Sequence, residues 1–272
     1  MHSEEPLGLT ADKPHSSATA KFVFAIPVKP KGITARWDLV SSNLARTIRS
    51  ILAGVNQDFA IYICGHEQPC PEFADSRVRF VQATFDFGPE LERALQDKWR
   101  KLCLIGSTLM AEGYDDFYLM FLDADDLIHR KLVEHVLATD NKRSYLIRDG
   151  YKLDTVTGRL MLQEENFDRS CGSTFVGWFE NCDLPPQDTD RDSYFRKFMP
   201  HKSRAVEAAL RGRPPDPVPF PAVVYPVNHM ESLQWRRRGG GLVRLPERRV
   251  IPSATAQRII EDDFSLDLNS DD

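Results

Sequence analysis

Asp123, Asp125 and Asp126 close an apolar run, Phe117-Tyr118-Leu119-Met120-Phe121-Leu122, which Asp115 and Asp116 bound on its other side. An uninterrupted apolar stretch of this length predicts a strand buried on both faces, delivering the carboxylates at its carboxyl end. Ligands of open α/β sheets bind at that end. Side chains two apart on an extended chain point the same way, so Asp123 and Asp125 are expected to reach one ligand together. Carboxylates so crowded repel unless a cation compensates them. A hard divalent ion that keeps several waters and binds phosphate oxygens suits the role. Asp is also a routine helix cap, so the triplet alone is ambiguous; the apolar strand before it favours a site.

The elements that would position these acids read in order. Lys21 to Val28 predicts a first strand buried on both faces, ended by Pro27. Val40, Leu44, Ile48, Ile51, Leu52 and Val55 follow helical spacing from about Trp37. Phe59 to Cys64 and Arg77 to Val81 read as second and third strands, so strand, helix and strand form a βαβ unit with a parallel sheet and right-handed crossover. Pro89 suits a first helical turn, and Leu91, Leu95, Trp99, Leu102 and Ile105 mark one face of a long helix ending before Gly113. Its charged residues Asp97, Lys98, Arg100 and Lys101 either form a solvated face or bring Asp97 or Lys101 against a bound nucleotide.

Beyond the acids, helical spacing is expected to resume over Leu127 to Leu137. Tyr145 to Tyr151 then predicts a strand, and Asp154 to Arg159 a hairpin turn into Leu160-Met161-Leu162. Phe167 to Val176 suggests a strand with a close backbone approach at Gly172. Asp192 to Phe198 reads as a helix start, Arg213 to Pro221 as extended linker, and Ala222 to Val227 as a last strand leading to His229.

Composition bounds the function. With 272 residues, 42% hydrophobic and 28% charged, the chain is long enough for a substantial core. A net charge of -5 argues against nucleic acid as a general partner. The five cysteines lack paired CxxC spacing, which predicts reduced thiols, a cytoplasmic setting and no zinc site. No apolar run approaches the length of a membrane span. The organisation expected is a disordered leader over 1–20, a ligand-binding half over 21–137, a second half of the same domain over 138–233, and a mobile basic arm and acidic tail over 234–272. In that arm Trp235 precedes Arg236-Arg237-Arg238 and Gly239-Gly240-Gly241, with Arg244, Arg248 and Arg249 beyond. It reads as a lid hinged on glycines, as a patch for peripheral contact with anionic lipid, or as a solvated arm.

The order of these residues resembles the GT-A glycosyltransferases of the family 2 type. The resemblance rests on the strand ending Ile26-Pro27-Val28, the helix containing Arg46-Thr47-Ile48-Arg49-Ser50-Ile51-Leu52, the second strand, and Phe121-Leu122-Asp123-Ala124-Asp125-Asp126. It covers Phe22 to Leu137 and continues weakly to Ser232. It implies an α/β fold with a mixed, mostly parallel central sheet flanked by helices and a smaller antiparallel acceptor-side portion. It further implies transfer of a sugar from a nucleotide-diphosphate sugar, foremost a UDP-sugar, to a carbohydrate or lipid-linked acceptor hydroxyl with inversion. Mn²⁺ or Mg²⁺ would be the cofactor. Carried over, Asp125 is the direct metal ligand, Asp123 contacts the ribose or the ion's water shell, and His229 is a further metal ligand. Pro27, Glu67, Asp97 and Lys101 fall on the donor side. Asp190 is the candidate base, with Asp188 or Asp192 as substitutes.

The chain departs from that pattern in places. Gly65-His66-Glu67 stands where a carboxylate pair that reads the base is common, leaving Glu67 as a substitute. The loop after Pro27 is longer and carries Lys29, Lys31 and Arg36, which either touch phosphate or are solvated. A GT-A-like protein that binds sugar or nucleotide without turnover is the rival reading. A phosphatase of the haloacid dehalogenase type fits less well, because its acidic motif usually opens the domain.

Overall fold

The structure is a computed structural model and describes residues 19–69, 74–88, 90–232, 235, 239 and 241–266. The expected leader up to residue 18, Pro89, Arg236 to Arg238 and the tail from residue 267 lie outside the described residues.

The chain begins with β1 (Phe22–Pro27), α1 (Trp37–Leu52), β2 (Phe59–Gly65), β3 (Val78–Gln82), α2 (Leu91–Ala111) and β4 (Phe117–Phe121). It continues through β5 (Leu127–Ile128), α3 (Leu132–Thr139), β6 (Ser144–Leu146), β7 (Gly150–Asp154), β8 (Arg159–Gln163) and β9 (Phe175–Phe179). Last come α4 (Tyr194–Lys197), α5 (Arg204–Leu210), β10 (Pro215–Pro217), β11 (Val223–Val227) and α6 (Ser253–Phe264).

Seven strands form the main sheet in the order β10-β6-β9-β4-β1-β2-β3. Only β9 runs antiparallel to its neighbours, so the sheet is mixed and mostly parallel, with helices on both faces. The strict alternation of β1 explains the two layers. Phe22, Phe24 and Ile26 pack with Leu44, Ile48 and Ile51 of α1, whereas Val23 and Ala25 pack with Leu102, Ile105 and Leu109 of α2. Burying a Val, Leu, Ile or Phe this fully contributes about 1.5–3 kcal/mol. The chain leaves β1 for β2 and β3 on one side and returns to β4 on the other. The reversal opens a crevice beyond the carboxyl ends of β1 and β4.

A second sheet, β5-β11-β7-β8, is smaller. It is mixed rather than antiparallel throughout, since β11 and β7 run parallel. Leu127, Tyr151, Leu153, Leu160 and Val224 of this sheet pack against Ala256, Ile260 and Phe264 of α6.

Several expectations are corrected. Tyr145 to Tyr151 is not one strand but two, β6 in the main sheet and β7 in the small one. The chain crosses between sheets at Ile147 to Asp149, and periodicity does not register a change of sheet. Leu127 begins a two-residue strand, and the helix starts only at Leu132. Phe167 to Arg169 is a 3-10 turn, with the strand delayed to Phe175. The expected linker contains β10, which pairs with β6 at the edge of the main sheet, where a proline's missing N–H costs no ladder bond. Residues 253–264, expected to be mobile, form α6, whose Ala256, Ile260 and Phe264 are buried. Among the described residues no helix is long and apolar enough to cross a membrane.

Candidate functional site

The crevice is a cleft of about 250 Å³. One wall is the end of β1 and its loop, Pro27 to Pro30 with Ile33, and a second is Val40 and Asn43 of α1. Ala94, Leu95, Asp97 and Lys98 of α2 face them, the floor is Asp123 to Asp125, and Tyr225, His229, Glu231 and Ser232 close the remaining side. Of the residues expected at a site, Pro27, Asp97, Asp123, Asp125 and His229 are therefore brought together.

The local shape of the floor differs from the expectation of an extended chain. The strand ends at Phe121, and the Asp126 amide donates to the Asp123 carbonyl at 3.3 Å, so Asp123 to Asp126 is a turn. Asp123 and Asp125 share the cleft because the chain bends around it, not by strand periodicity. Asp123 is fixed from behind: its amide donates to Ser173 Oγ at 2.9 Å, and a Cβ on Gly172 would stand 3.1 Å from its Oδ2. The close backbone approach expected at Gly172 is thus made to Asp123 itself. Lys98 pairs with the Asp123 carboxylate. Burial pushes that carboxyl up, but Lys98, Arg204 and His201 together hold it below the usual range.

Asp126 behaves oppositely. It is wholly buried, one oxygen accepts from Cys171 Sγ at 3.3 Å, and the other has no hydrogen-bond partner. Burial, with the charges of Asp125 and Asp123, raises its pKa well above the carboxylate range.

Asp125 Oδ2 lies 2.8 Å from His229 Nε2. The contact is close but not aligned as a hydrogen bond, and neither ring nitrogen of His229 has a hydrogen-bond partner although the residue is 7% exposed. A buried imidazole left unsatisfied beside a carboxylate fits the donor set of a divalent ion. Asp123 does not converge with them. Among the described residues the only three-residue group with ligand atoms within 4.8 Å of one another is Glu180, Cys182 and Asp183, away from the cleft.

The remaining expected residues stand elsewhere. Lys101 is fully buried and off the cleft wall, donating to the Val28 carbonyl at 2.8 Å and Asp97 Oδ2 at 2.7 Å. Burial lowers its pKa, against the opposing pull of Asp97. The Glu67 carboxylate accepts from the Lys31 amide at 3.0 Å and does not line the cleft. Asp190 is brought to the start of α4, where Oδ2 accepts from the Ser193 amide at 3.1 Å. Asp188 is held by Arg100, and Asp192 opens on a different pocket.

Sequence reading missed several residues here. The Glu231 carboxylate accepts from Lys29 Nζ and from the Arg36 amide at 2.8 Å, tying the β1 loop to the segment after β11. Arg204, 4% exposed, donates to the carbonyls of Phe198, Gly172 and Met199 and so braces the backbone behind Asp123. Ser173, Tyr225 and Asn43 also carry no local motif; each arrives from a distant segment.

No family model matches the sequence, and no curated protein matches it. Solved structures that the chain matches include a 2-C-methyl-D-erythritol 4-phosphate cytidylyltransferase from Francisella tularensis, with TM-score 0.38 and 11% identity over 73% of this chain and 89% of that one. Another is the bifunctional IspDF from Campylobacter jejuni, with TM-score 0.37 and 10% identity over 74% of this chain. The match spans 49% of the length of that second protein. No residue role passes from either to this chain.

Proposed function

We propose that the protein is a glycosyltransferase that moves a sugar from a nucleotide-diphosphate sugar to an acceptor hydroxyl with inversion, and that Asp125 and His229 hold Mn²⁺ or Mg²⁺ for it. The observation that carries the reading is the buried His229 ring, unsatisfied at both nitrogens and 2.8 Å from Asp125 at the carboxyl end of a central strand. The reversal of strand order at β1 and β4 supports it, because the cleft lies at that crevice. A bound divalent ion would supply Lewis-acid stabilisation of the departing diphosphate. The chain's own residues then have separate tasks. Lys98 adds positive charge on the wall, Asp123 is positioned by Ser173 and Gly172 to accept from a ligand hydroxyl, and Val28, Leu95 and Ile33 exclude water.

The test is thermal stabilisation by UDP-, GDP-, CMP- and dTDP-sugars, each with and without Mn²⁺, followed by release of nucleoside diphosphate over an acceptor panel. The reading expects one donor to raise the melting temperature only when metal is present. If no donor shifts it under either condition, the reading fails. A second reading, nucleotide-sugar binding without turnover, is favoured by the acidic loop: Asp188 is occupied by Arg100, and Asp190 accepts from Ser193, the N-cap of α4. Stabilisation by a donor with no diphosphate release over the whole panel selects it.

A further inference from the structure

The turn that closes one side of the cleft faces two ways. His229, Glu231 and Ser232 line the cavity, whereas Met230 between them is 46% exposed. Asn228 opens the turn with φ 69°, a left-handed value that its short side chain tolerates. That side chain is engaged at both ends. Nδ2 donates to the Val243 carbonyl at 3.0 Å, and Oδ1 accepts from the Val243 amide at 2.7 Å. Leu242, next to Val243, is 52% exposed. On the other flank Thr155 donates to the Val227 carbonyl from its amide at 3.1 Å and its hydroxyl at 3.0 Å. This brings in the turn between β7 and β8 with Val156, 62% exposed. Three segments distant in sequence therefore meet at Asn228, each carrying one exposed aliphatic side chain.

Positive charge gathers at the same place. Between Leu233 and Pro252 the sequence has six arginines and one acid, in a chain whose net charge is -5. The stretch is tied down at three points. The Trp235 amide donates to Ser232 Oγ at 3.1 Å, Val243 is held by Asn228, and Val250 bridges to Met161 of β8. A lid hinged on the glycines would have to break these ties. Arg244 and Arg249 are exposed. The acids beside them are engaged elsewhere: Asp154 is buried and accepts from the Val156 amide at 3.0 Å and the Thr157 hydroxyl at 2.8 Å, and Glu231 is paired with Lys29.

The partner must supply negative charge and also accept separate apolar tips. Nucleic acid supplies the first alone. An acidic protein would need a shaped apolar pocket for each tip. The boundary of an anionic bilayer supplies both, since its headgroups attract arginine and its acyl layer receives aliphatic side chains at whatever height they stand. Trp235 at the start of the arginine stretch suits that boundary as well.

We propose that the tips bearing Val156, Met230 and Leu242, with the arginines that follow, are a docking surface for an anionic lipid bilayer, against which the cleft mouth is held at headgroup level. The proposal does not depend on glycosyl transfer.

The experiment is co-sedimentation of the full chain with vesicles of phosphatidylcholine alone and of phosphatidylcholine with about 30% phosphatidylserine, in about 0.1 M salt. The wild type is expected to bind the anionic vesicles at least about tenfold more tightly, and to lose most of that binding in about 0.5 M salt. Val156→Ser with Leu242→Ser changes no charge and touches no cleft residue; it should weaken binding about tenfold while keeping the wild-type circular dichroism. Val206→Ser with Leu210→Ser, on the similarly exposed face of α5, should leave binding unchanged. Equal binding to both vesicles overturns the proposal, as does binding that the Val156 and Leu242 change leaves intact or that the α5 change lowers equally. A wild type that ignores both vesicles overturns it too; retention on immobilised polyglutamate would then assign the surface to an acidic protein. None of these outcomes bears on donor binding in the cleft.

Discussion

Two acidic groups in this molecule have similar composition and opposite circumstances. Around Asp183, Glu180 and Cys182 add potential ligand atoms, yet the charges are already answered. The Asp183 side chain is 0% exposed and receives Arg211 at 2.6 Å and Arg213 from another direction, while Arg213 also takes Glu180. In the cleft, Asp125 has a histidine beside it with no hydrogen bond made, and the adjoining Asp126, buried off the cleft, has an oxygen with no partner. Counting acids does not separate a structural knot from a binding site, whereas accounting for each polar atom does.

That contrast fails if the knot proves dispensable. Arg213→Ala leaves the buried Asp183 carboxylate short of a cation and should cost about 3–5 kcal/mol in urea denaturation, more than any cleft substitution. A loss under about 1 kcal/mol would mean the two groups are not different in kind. The cleft should respond in the reverse sense. Asp125→Ala is expected to keep near wild-type stability and to weaken Mn²⁺-dependent donor binding about 100-fold in calorimetric titration. Unchanged donor affinity would remove the metal role. His229→Gln should weaken metal binding about tenfold while leaving stability level or slightly higher, because it replaces a ring that forms no hydrogen bond.

Smaller effects sharpen the contrast further. Asp190→Asn should spare donor binding altogether; its carboxylate serves Ser193 at the start of α4, so a loss of about 0.5–1 kcal/mol in stability is expected. Loss of turnover with full donor affinity would instead assign Asp190 the acceptor proton. The mildest change concerns acid. His129 packs on Phe220 and Phe264, with Asp263 at 3.5 Å, and burial lowers its pKa despite that carboxylate. The unfolded chain then takes up the proton first. This contribution to stability is complete above the unfolded value near 6.5 and declines as pH falls below it. Hydrogen exchange of α6 should quicken over that range before the main sheet responds.

How much was legible follows from where the signal sat. The run Phe117 to Leu122 reports a doubly buried strand because its neighbours cover both faces, and β1, α1, β2 and α2 follow from the same local logic. The split between β6 and β7 was invisible, since an apolar stretch looks the same whichever sheet receives it. Pro215 to Pro217 suggested linker because proline disfavours central strands, and only an edge position accommodates it. α6 carried a readable signal in Ala256, Ile260 and Phe264, four apart, that the surrounding acidic composition masked. In the cleft, Asp123 and Asp125 were legible from spacing, though through a turn rather than a strand. Glu231, Arg204 and Ser173 were not, because long-range packing alone makes them neighbours of the acids.

The placement of α6 sets an order of events on the ribosome. The aspartate turn emerges early, His229 much later, and the helix that backs the small sheet later again. A nascent chain paused before Ser253 would present Leu127, Tyr151, Leu160 and Val224 as an uncovered apolar face. Chaperone engagement should concentrate in that interval, and the small sheet would be covered only after every residue of the cleft has emerged.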